Sequence, residues 1–364
     1  MNSSNRYTVM NERKITSAGD GKESVMTPTI ADVAREAGVT KGTVSHVYSG
    51  HRPISTQTKA RVHAAAEKLG WVPNSNARAL AGHRTNAIGL VLHRDPSALV
   101  VDTFFPNFIS GMQSVLAEQQ IMLIMQVVGD RAAEEQAYRS MAHGRADGVV
   151  LLDMHLRDWR IGFLQKLKLP AVLMDMPQDQ LGFTTVRLNS AQPMEQLIDY
   201  LQERGHTRIA HVSGPLTYVH AYERAKAYVH RVGGSALLRE GDFTAGNGRH
   251  LTAQLLSMPD RPTAIIYSNN VMAIAGQAYA QEHGLVVPDD LALAGFEDNE
   301  ICAHLNPPLT SIDTDPIGRG RLVAKQLIRT IAGIPTESVA SRDATIKFRE
   351  STAGQAPSVV REVH

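Results

Sequence analysis

From residue 86 to residue 313 the chain alternates short apolar runs with longer amphipathic stretches, and it does so twice over. The first pass reads "AIGLVL", "FPNFISGMQSVLAEQQ", "IMLIMQVV", "AEEQAYRSMAHGRA", "DGVVLL" and "FLQKLKL" into "PAVLMD". The second reads "MEQLIDYLQERGH", "RIAHVSG", "YERAKAYVHRVG", "GSALLREGDF", "GRHLTAQLLSM", "TAIIYS", "NVMAIAGQAYAQEHG" and "LALAGFED". Short aliphatic runs without polar alternation are strands buried on both faces, and the amphipathic stretches are the helices that cover them. The alternation therefore predicts parallel α/β sheets with helices on both faces, and its repetition predicts two lobes with a cleft between them.

Ligands of such sheets sit beyond the carboxyl ends of the strands. Asp153, Asp175, Ser213, Phe243, Ser268 with Asn269, and Glu297 with Asp298 each follow an apolar run there. One polar residue after a strand is usually a turn or cap; six such positions at equivalent ends of a repeated topology point to a binding cleft. Met122, Met125, Met174 and Met272 fall within strands or helices and are expected in the core.

No chemistry-bearing motif competes with binding. No G-x-G-x-x-G follows a strand, no G-x-S-x-G elbow occurs, and no H-E-x-x-H or paired Cys/His spacing marks a metal. "GDGKES" at Gly19–Ser24 lacks the spacing of a phosphate loop, and His143, His211 and His304 read as cap or surface residues. No enzyme, cofactor or metal is expected. The single cysteine, Cys302, excludes an internal disulfide and fits a reducing cytoplasm. No apolar run reaches the roughly 18–20 residues of a membrane span, and the N-terminus has no apolar signal core.

Ahead of the α/β body lies a different kind of sequence. Residues 27–85 carry eight Lys/Arg against three Asp/Glu, a net +5, while residues 86–364 carry −5. A basic head on an acidic body suits a polyanionic partner. Thr29 and Asp32 have capping-box spacing, and Ile30, Val33, Ala34 and Ala37 then share one helical face. Gly38 supplies a left-handed cap, Thr40 caps a second helix with Val44 and Val47 on its buried side, and Ser55 caps a third that ends at Gly70. Helix, tight glycine turn and helix make a helix-turn-helix. The outward residues of the second helix, Lys41, Gly42, Thr43, Ser45 and His46, are small or hydrogen-bonding, as a surface entering a major groove would be. Pro73 breaks the third helix, Asn74 can cap a short one over 75–81, and that helix is too short to order without a partner. Residues 1–26 are polar and patternless, which predicts a disordered extension, with Met26 a candidate start.

The stretches "TIADVAREAGVTKGTVSHV", "ISTQTKARVHAAAEKLGWVPN" and "ARALAG-RTNAIGLV", with the body behind them, resemble the lactose/galactose repressor (LacI/GalR) family of bacterial transcription factors over roughly residues 27–352. The resemblance implies a helix-turn-helix domain at 27–73, a hinge at 74–85, a two-lobed periplasmic-binding-protein type I core at 86–352 and a flexible tail at 353–364. It implies a repressor that binds a pseudo-palindromic double-stranded DNA operator as a homodimer, under a small-molecule effector that is a sugar or related metabolite. It assigns DNA contact to Thr29, Thr40, Lys41, Gly42, Thr43, Ser45 and His46, with Asn74, Arg78 and Leu80 in the hinge, where Leu80 matches a leucine wedged into the minor groove. His46 stands where many members carry arginine, so it lacks the bidentate fork of that side chain. Effector contact is implied for His93, Phe105, Asp175, Arg224, Phe243, Asn269 and Glu297. The first lobe is expected to end near residue 186, with "DTDPIGRGRLVAKQLIRTIAG" crossing back to it and "ATIKFREST" returning to the second. Asn270 and Glu297 replace aspartates of the family pattern, and "RLNSAQ" departs from it, so the pocket is expected to differ from those of common sugar binders.

Overall fold

In the head, local hydrogen bonds set each helix boundary. Helix α1 spans Ile30–Glu36, and the Asp32 carboxylate accepts from the Thr29 amide at 2.9 Å and the Thr29 hydroxyl at 2.6 Å. These bonds hold Asp32 below the usual carboxylate range. Gly38 takes φ +63°, and the Val39 amide turns back to the Ala34 carbonyl at 2.9 Å. Helix α2, Lys41–Ser49, starts where Thr40 Oγ1 accepts from the Thr43 amide at 3.1 Å. Helix α3, Thr56–Leu69, is capped by Ser55 and closed by Gly70 at φ +62°. Val33, Val44 and Val62 are fully buried among alanines, and Trp71 meets Tyr48 edge-on at 5.5 Å. Each buried valine contributes about 1.5–3 kcal/mol, which leaves a core this small marginal.

The computed structural model describes residues 28–49, 53–71, 84–96, 98–176 and 182–357. The described residues form two compact units, the head ending at residue 71 and the body starting at residue 84. The expected N-terminal extension, the hinge with Asn74, Arg78 and Leu80, and the last residues of the expected tail lie outside them.

The body contains two sheets of six strands, in the orders β11-β5-β4-β3-β1-β2 and β12-β10-β9-β8-β6-β7. The first is built from β1 (Ala87–His93), β2 (Met122–Val128), β3 (Gly148–Leu151), β4 (Ala171–Met174), β5 (Thr184–Arg187) and β11 (Val339–Ala340). The second uses β6 (Ile209–Ser213), β7 (Leu238–Glu240), β8 (Ala264–Tyr267), β9 (Ala292–Phe296), β10 (Thr310–Asp313) and β12 (Thr345–Lys347). All pairings are parallel except β10 with β12. Helices follow in register: α4 (Ala98–Val101), α5 (Phe104–Glu118), α6 (Arg131–Ser140), α7 (Trp159–Leu167), α8 (Ala191–Glu203), α9 (Val219–Val232), α10 (Ala245–Leu256), α11 (Asn270–Glu282), α12 (Glu300–His304) and α13 (Pro316–Ile331). The order reverses between β3, β1 and β2 and again between β8, β6 and β7, so each sheet has a switch point at its carboxyl edge.

Helix α13 crosses from the second lobe and packs on α5 of the first. The backbones meet so closely that a Cβ on Gly320 would sit 2.1 Å from the Phe108 carbonyl oxygen, and one on Gly111 would sit 2.1 Å from that of Ile317. β12 returns to the second lobe beside β10. The short strands β5 and β11 are additions that the apolar pattern does not announce.

Several expectations need correction. Met122 and Met125 are not core residues: β2 is an edge strand, and they are 55% and 46% exposed. His211 is neither cap nor surface but is fully buried within β6, its ring bonded to the Ile266 carbonyl at 2.8 Å. The helix expected to run to Ala146 ends at Ser140 and passes into a wider turn with Gly144 at φ +89°. At the other end of the chain the Ala356 amide donates to the Arg204 carbonyl at 2.8 Å, which ties the start of the expected tail to the second lobe.

Candidate functional site

The carboxyl ends of both sheets line a partly open cavity of about 50 Å³. Six of the seven expected effector residues line it: Phe105, Asp175, Arg224, Phe243, Asn269 and Glu297. His93 is not among them. It is the last residue of β1, and its Nδ1 lies 3.3 Å from Glu134 Oε2. Strand side chains alternate faces, so the next residue, Arg94, takes the cavity wall instead.

Three arginine–carboxylate pairs dominate the walls. Arg94 holds Asp153 in a fork, with Nε to Oδ2 and Nη2 to Oδ1 both at 2.8 Å. Burial alone would raise Asp153, but the guanidinium outweighs it and keeps the carboxylate below its ordinary range. Arg94 also lies 5.1 Å from the ring centre of Phe243 and 5.6 Å from that of Phe105. Arg224, on α9, donates to the Ser268 carbonyl at 2.9 Å and to Glu297 Oε1 at 3.2 Å. It is buried, not a surface partner of Glu223. Arg319, on α13, pairs with Asp175, which also accepts the Leu188 amide at 3.2 Å.

Backbone geometry aims these groups. Asp153, Asp175, Phe243 and Glu297 all have φ between +49° and +68°, a left-handed kink just beyond a strand that few side chains tolerate. The Glu297 carboxylate is held at both oxygens, by Arg224 and by the Thr314 hydroxyl. Asn269 caps α11, accepting the Met272 amide at 3.0 Å, and its Nδ2 fixes the Phe243 carbonyl at 3.0 Å. Asn270 turns away, donating to the Glu297 carbonyl at 2.6 Å. His220 faces the cavity stacked on Phe243, and burial together with the nearby Arg224 pushes its pKa down to about 4, so it is neutral.

Sequence reasoning missed Arg94, Asp102, Phe104, His220 and Arg319, all of which line the cavity. Arg94 and Phe104 each adjoin a residue that was picked. Arg319 lies in the stretch expected only to cross between lobes, and nothing in "DTFF" marks Asp102 as facing a ligand.

In the head, Lys41, Gly42 and Ser45 are exposed on α2, Thr43 and His46 are half-buried, and Val44 alone turns fully inward. The i, i+4 pairs Lys41–Ser45 and Gly42–His46 lie along its outer surface. Thr29 and Thr40 are exposed at the starts of α1 and α2.

A helix-turn-helix head and a body of two mainly parallel sheets whose carboxyl ends line a charged and aromatic cavity define a ligand-responsive transcription factor. Residues 29–74 match the model of bacterial regulatory proteins of the lacI family, and residues 198–352 match that of periplasmic binding protein-like domains. The HTH-type transcriptional regulator CelR of Thermobifida fusca is 30% identical over 322 residues, covering 86% of this chain and 94% of the relative. The solved CelR–cellobiose complex matches with a TM-score of 0.69 at 29% identity, over 89% of this chain and 99% of that one. The lac repressor dimer bound to operator and the anti-inducer ONPF matches with a TM-score of 0.76 at 25% identity, over the same shares. The chain belongs to the lacI family of bacterial transcriptional regulators, and it is a DNA-binding regulator with an effector-binding body.

Proposed function

We propose that this chain is a repressor that binds its operator as a homodimer and releases or tightens its hold when a sugar or related metabolite enters the cavity between the lobes. The observation that carries this reading is the convergence of Phe105, Asp175, Arg224, Phe243, Asn269 and Glu297, drawn from both lobes, on one cavity. Phenyl rings offer flat apolar faces to a sugar ring, and the edges of the ion pairs offer donors and acceptors to its hydroxyls. Thr29, Thr40, Lys41, Gly42, Thr43, Ser45 and His46 meet the operator, with Lys41, Gly42 and His46 at the positions that face base edges, and Asn74, Arg78 and Leu80 belong to the hinge contact.

The exposed Met122 and Met125, on opposite sides of edge strand β2, leave apolar surface at the rim of the first lobe for its dimer partner. Among the described residues no helix is long and apolar enough to cross a membrane. A cytoplasmic location is the reading that goes with an operator as ligand.

The test is a thermal-shift screen of the full chain against neutral, amino and acidic sugars, nucleosides and purines, followed by operator gel shifts with each hit. A ligand at about 100 times its Kd adds roughly 2.7 kcal/mol of stability. A hit that also changes operator affinity supports the reading by linkage. Hits that leave operator affinity unchanged would remove the sensor role.

A further inference from the structure

The charges around the cavity do not balance. Arg94, Arg224 and Arg319 are each taken by a carboxylate, respectively Asp153, Glu297 and Asp175. A fourth carboxylate, Asp102, stands just before α5 and is only 9% exposed, yet lines the same cavity. Among the described residues it pairs with no cation, and its hydrogen bond is from the Phe104 amide to Oδ1 at 3.0 Å. The other oxygen, Oδ2, keeps its capacity to accept. His220 adds no positive charge, being neutral. The wall therefore holds three cations against four anions.

We propose that Asp102 is a specificity-determining residue of the cavity: its carboxylate, which has no ion-pair partner, takes a hydroxyl or ammonium donor of the effector and bars ligands that carry a phosphate or carboxylate. The proposal rests on the sugar-sensor reading above and narrows it.

Two physical arguments support it. A buried carboxylate without a cation is costly, and a ligand donor at Oδ2 relieves that cost, whereas a second anion adds to it. Burial first, and then the charges of Glu297 and Asp153, push the Asp102 pKa up to about 6 against the Phe104 amide and the Arg94 charge, the direction expected of a carboxylate without an ion-pair partner of its own. The charge of each arginine is also already answered by a carboxylate. An anion brought to Arg94 would stand beside Asp153 as well, with no free cation among the described residues of the wall to balance it. A polyol leaves all three pairs intact.

The experiment is isothermal titration of the full chain, near neutral pH, with matched compounds that differ in charge. These are cellobiose and cellobionate; glucose, glucosamine, glucose 6-phosphate and glucuronate; ribose and ribose 5-phosphate. The expected result is that a neutral or amino member binds and its acidic counterpart binds at least about tenfold more weakly. Asp102→Asn keeps the shape and the acceptor for the Phe104 amide and should shrink that gap severalfold. Asp102→Ser serves as a second variant, with unchanged operator gel shifts as the control for folding. An acidic member that binds as tightly as its neutral counterpart overturns the proposal, as does a gap untouched in both variants. Binding of acidic members alone leaves the sensor reading standing and removes the role of Asp102. A panel in which no compound of any charge binds removes the sugar reading, and this proposal with it.

Discussion

The ring of Phe243 occupies the space where a side chain at Gly214 would begin: a Cβ built on that glycine would stand 1.9 Å from Phe243 Cζ. Phe243 cannot easily retreat. Its backbone is at φ +68° and its carbonyl is pinned by Asn269 Nδ2 at 3.0 Å. Gly214→Ala should therefore swing the ring into the cavity and close the surface offered to a sugar face. Affinity for the tightest-binding sugar of the panel should fall at least about tenfold, as overpacking of a close-packed site typically costs 1–3 kcal/mol. Operator binding without sugar should stay near wild type, because the head is untouched. Calorimetry with parallel gel shifts reads both, and an unchanged sugar affinity would show that Phe243 does not shape the site.

Arg224 and Glu297 form a buried pair whose partners cannot be removed singly without cost. Arg224→Leu leaves the Glu297 carboxylate buried with only the Thr314 hydroxyl to answer it. A loss of about 3–5 kcal/mol is expected from breaking one side of such a pair. Adding Glu297→Gln to that variant should recover part of the loss, since no buried charge then stands alone. Urea unfolding of the wild type, both single variants and the double variant gives the coupling. Additive losses would mean that the two side chains do not depend on each other.

The body was largely legible because apolar runs and amphipathic stretches state strands and helices directly, and because a parallel sheet sends its polar strand ends to one edge. The head was legible from Thr29, Gly38, Thr40, Ser55 and Gly70, each of which stops or starts a helix for a local reason. What the pattern could not give was facing. His93 and Arg94 are neighbours on a strand end, and only the register of β1 against β2 and β3 decides which of them meets the ligand. Met122 and Met125 read as core because the run around them is apolar, but β2 ends a sheet, and strand order is not written in β2 itself. His211 is polar and was expected outside; it is inside because the Ile266 carbonyl accepts its ring proton. Asp102 and Arg319 come to the cavity from two segments that approach only once the chain has crossed between lobes.

For the head, the prediction concerns α2. His46→Ala should weaken binding to a cognate operator by roughly 1–3 kcal/mol and relax discrimination at one base pair, because a base-edge donor is lost. Lys41→Ala is the contrasting case. If its ammonium meets a phosphate, affinity should drop for all sequences and the salt dependence should flatten by about one charge; if it meets a base, discrimination should fall instead. Fluorescence anisotropy with cognate and scrambled duplexes over a salt series separates the two. A His46→Ala protein with wild-type affinity and discrimination would exclude α2 as the reading helix.

The last prediction follows from His211. The Ile266 carbonyl can only accept, so Nδ1 carries the ring proton, and Nε2 lies 3.4 Å from the Ser268 hydroxyl. A second proton would place a charge in a fully buried site. Burial chiefly, with Arg224 adding to it, lowers the His211 pKa to about 4 against the bond to Ile266. In the unfolded chain the same ring titrates near 6.5. Between those two values the unfolded chain binds a proton that the native protein refuses, so stability falls as pH drops from about 6.5 and levels off below about 4. At roughly 1.4 kcal/mol per pH unit, the loss from this residue is on the order of 3 kcal/mol. His220 and His206 act in the same sense, and Asp102, whose pKa is raised by burial, acts in the opposite one. The measurement is therefore a difference. Urea unfolding of wild type and His211→Gln at several pH values should show the wild type losing more stability on acidification than the variant. Parallel curves for the two proteins would mean that His211 already takes up its proton in the folded state.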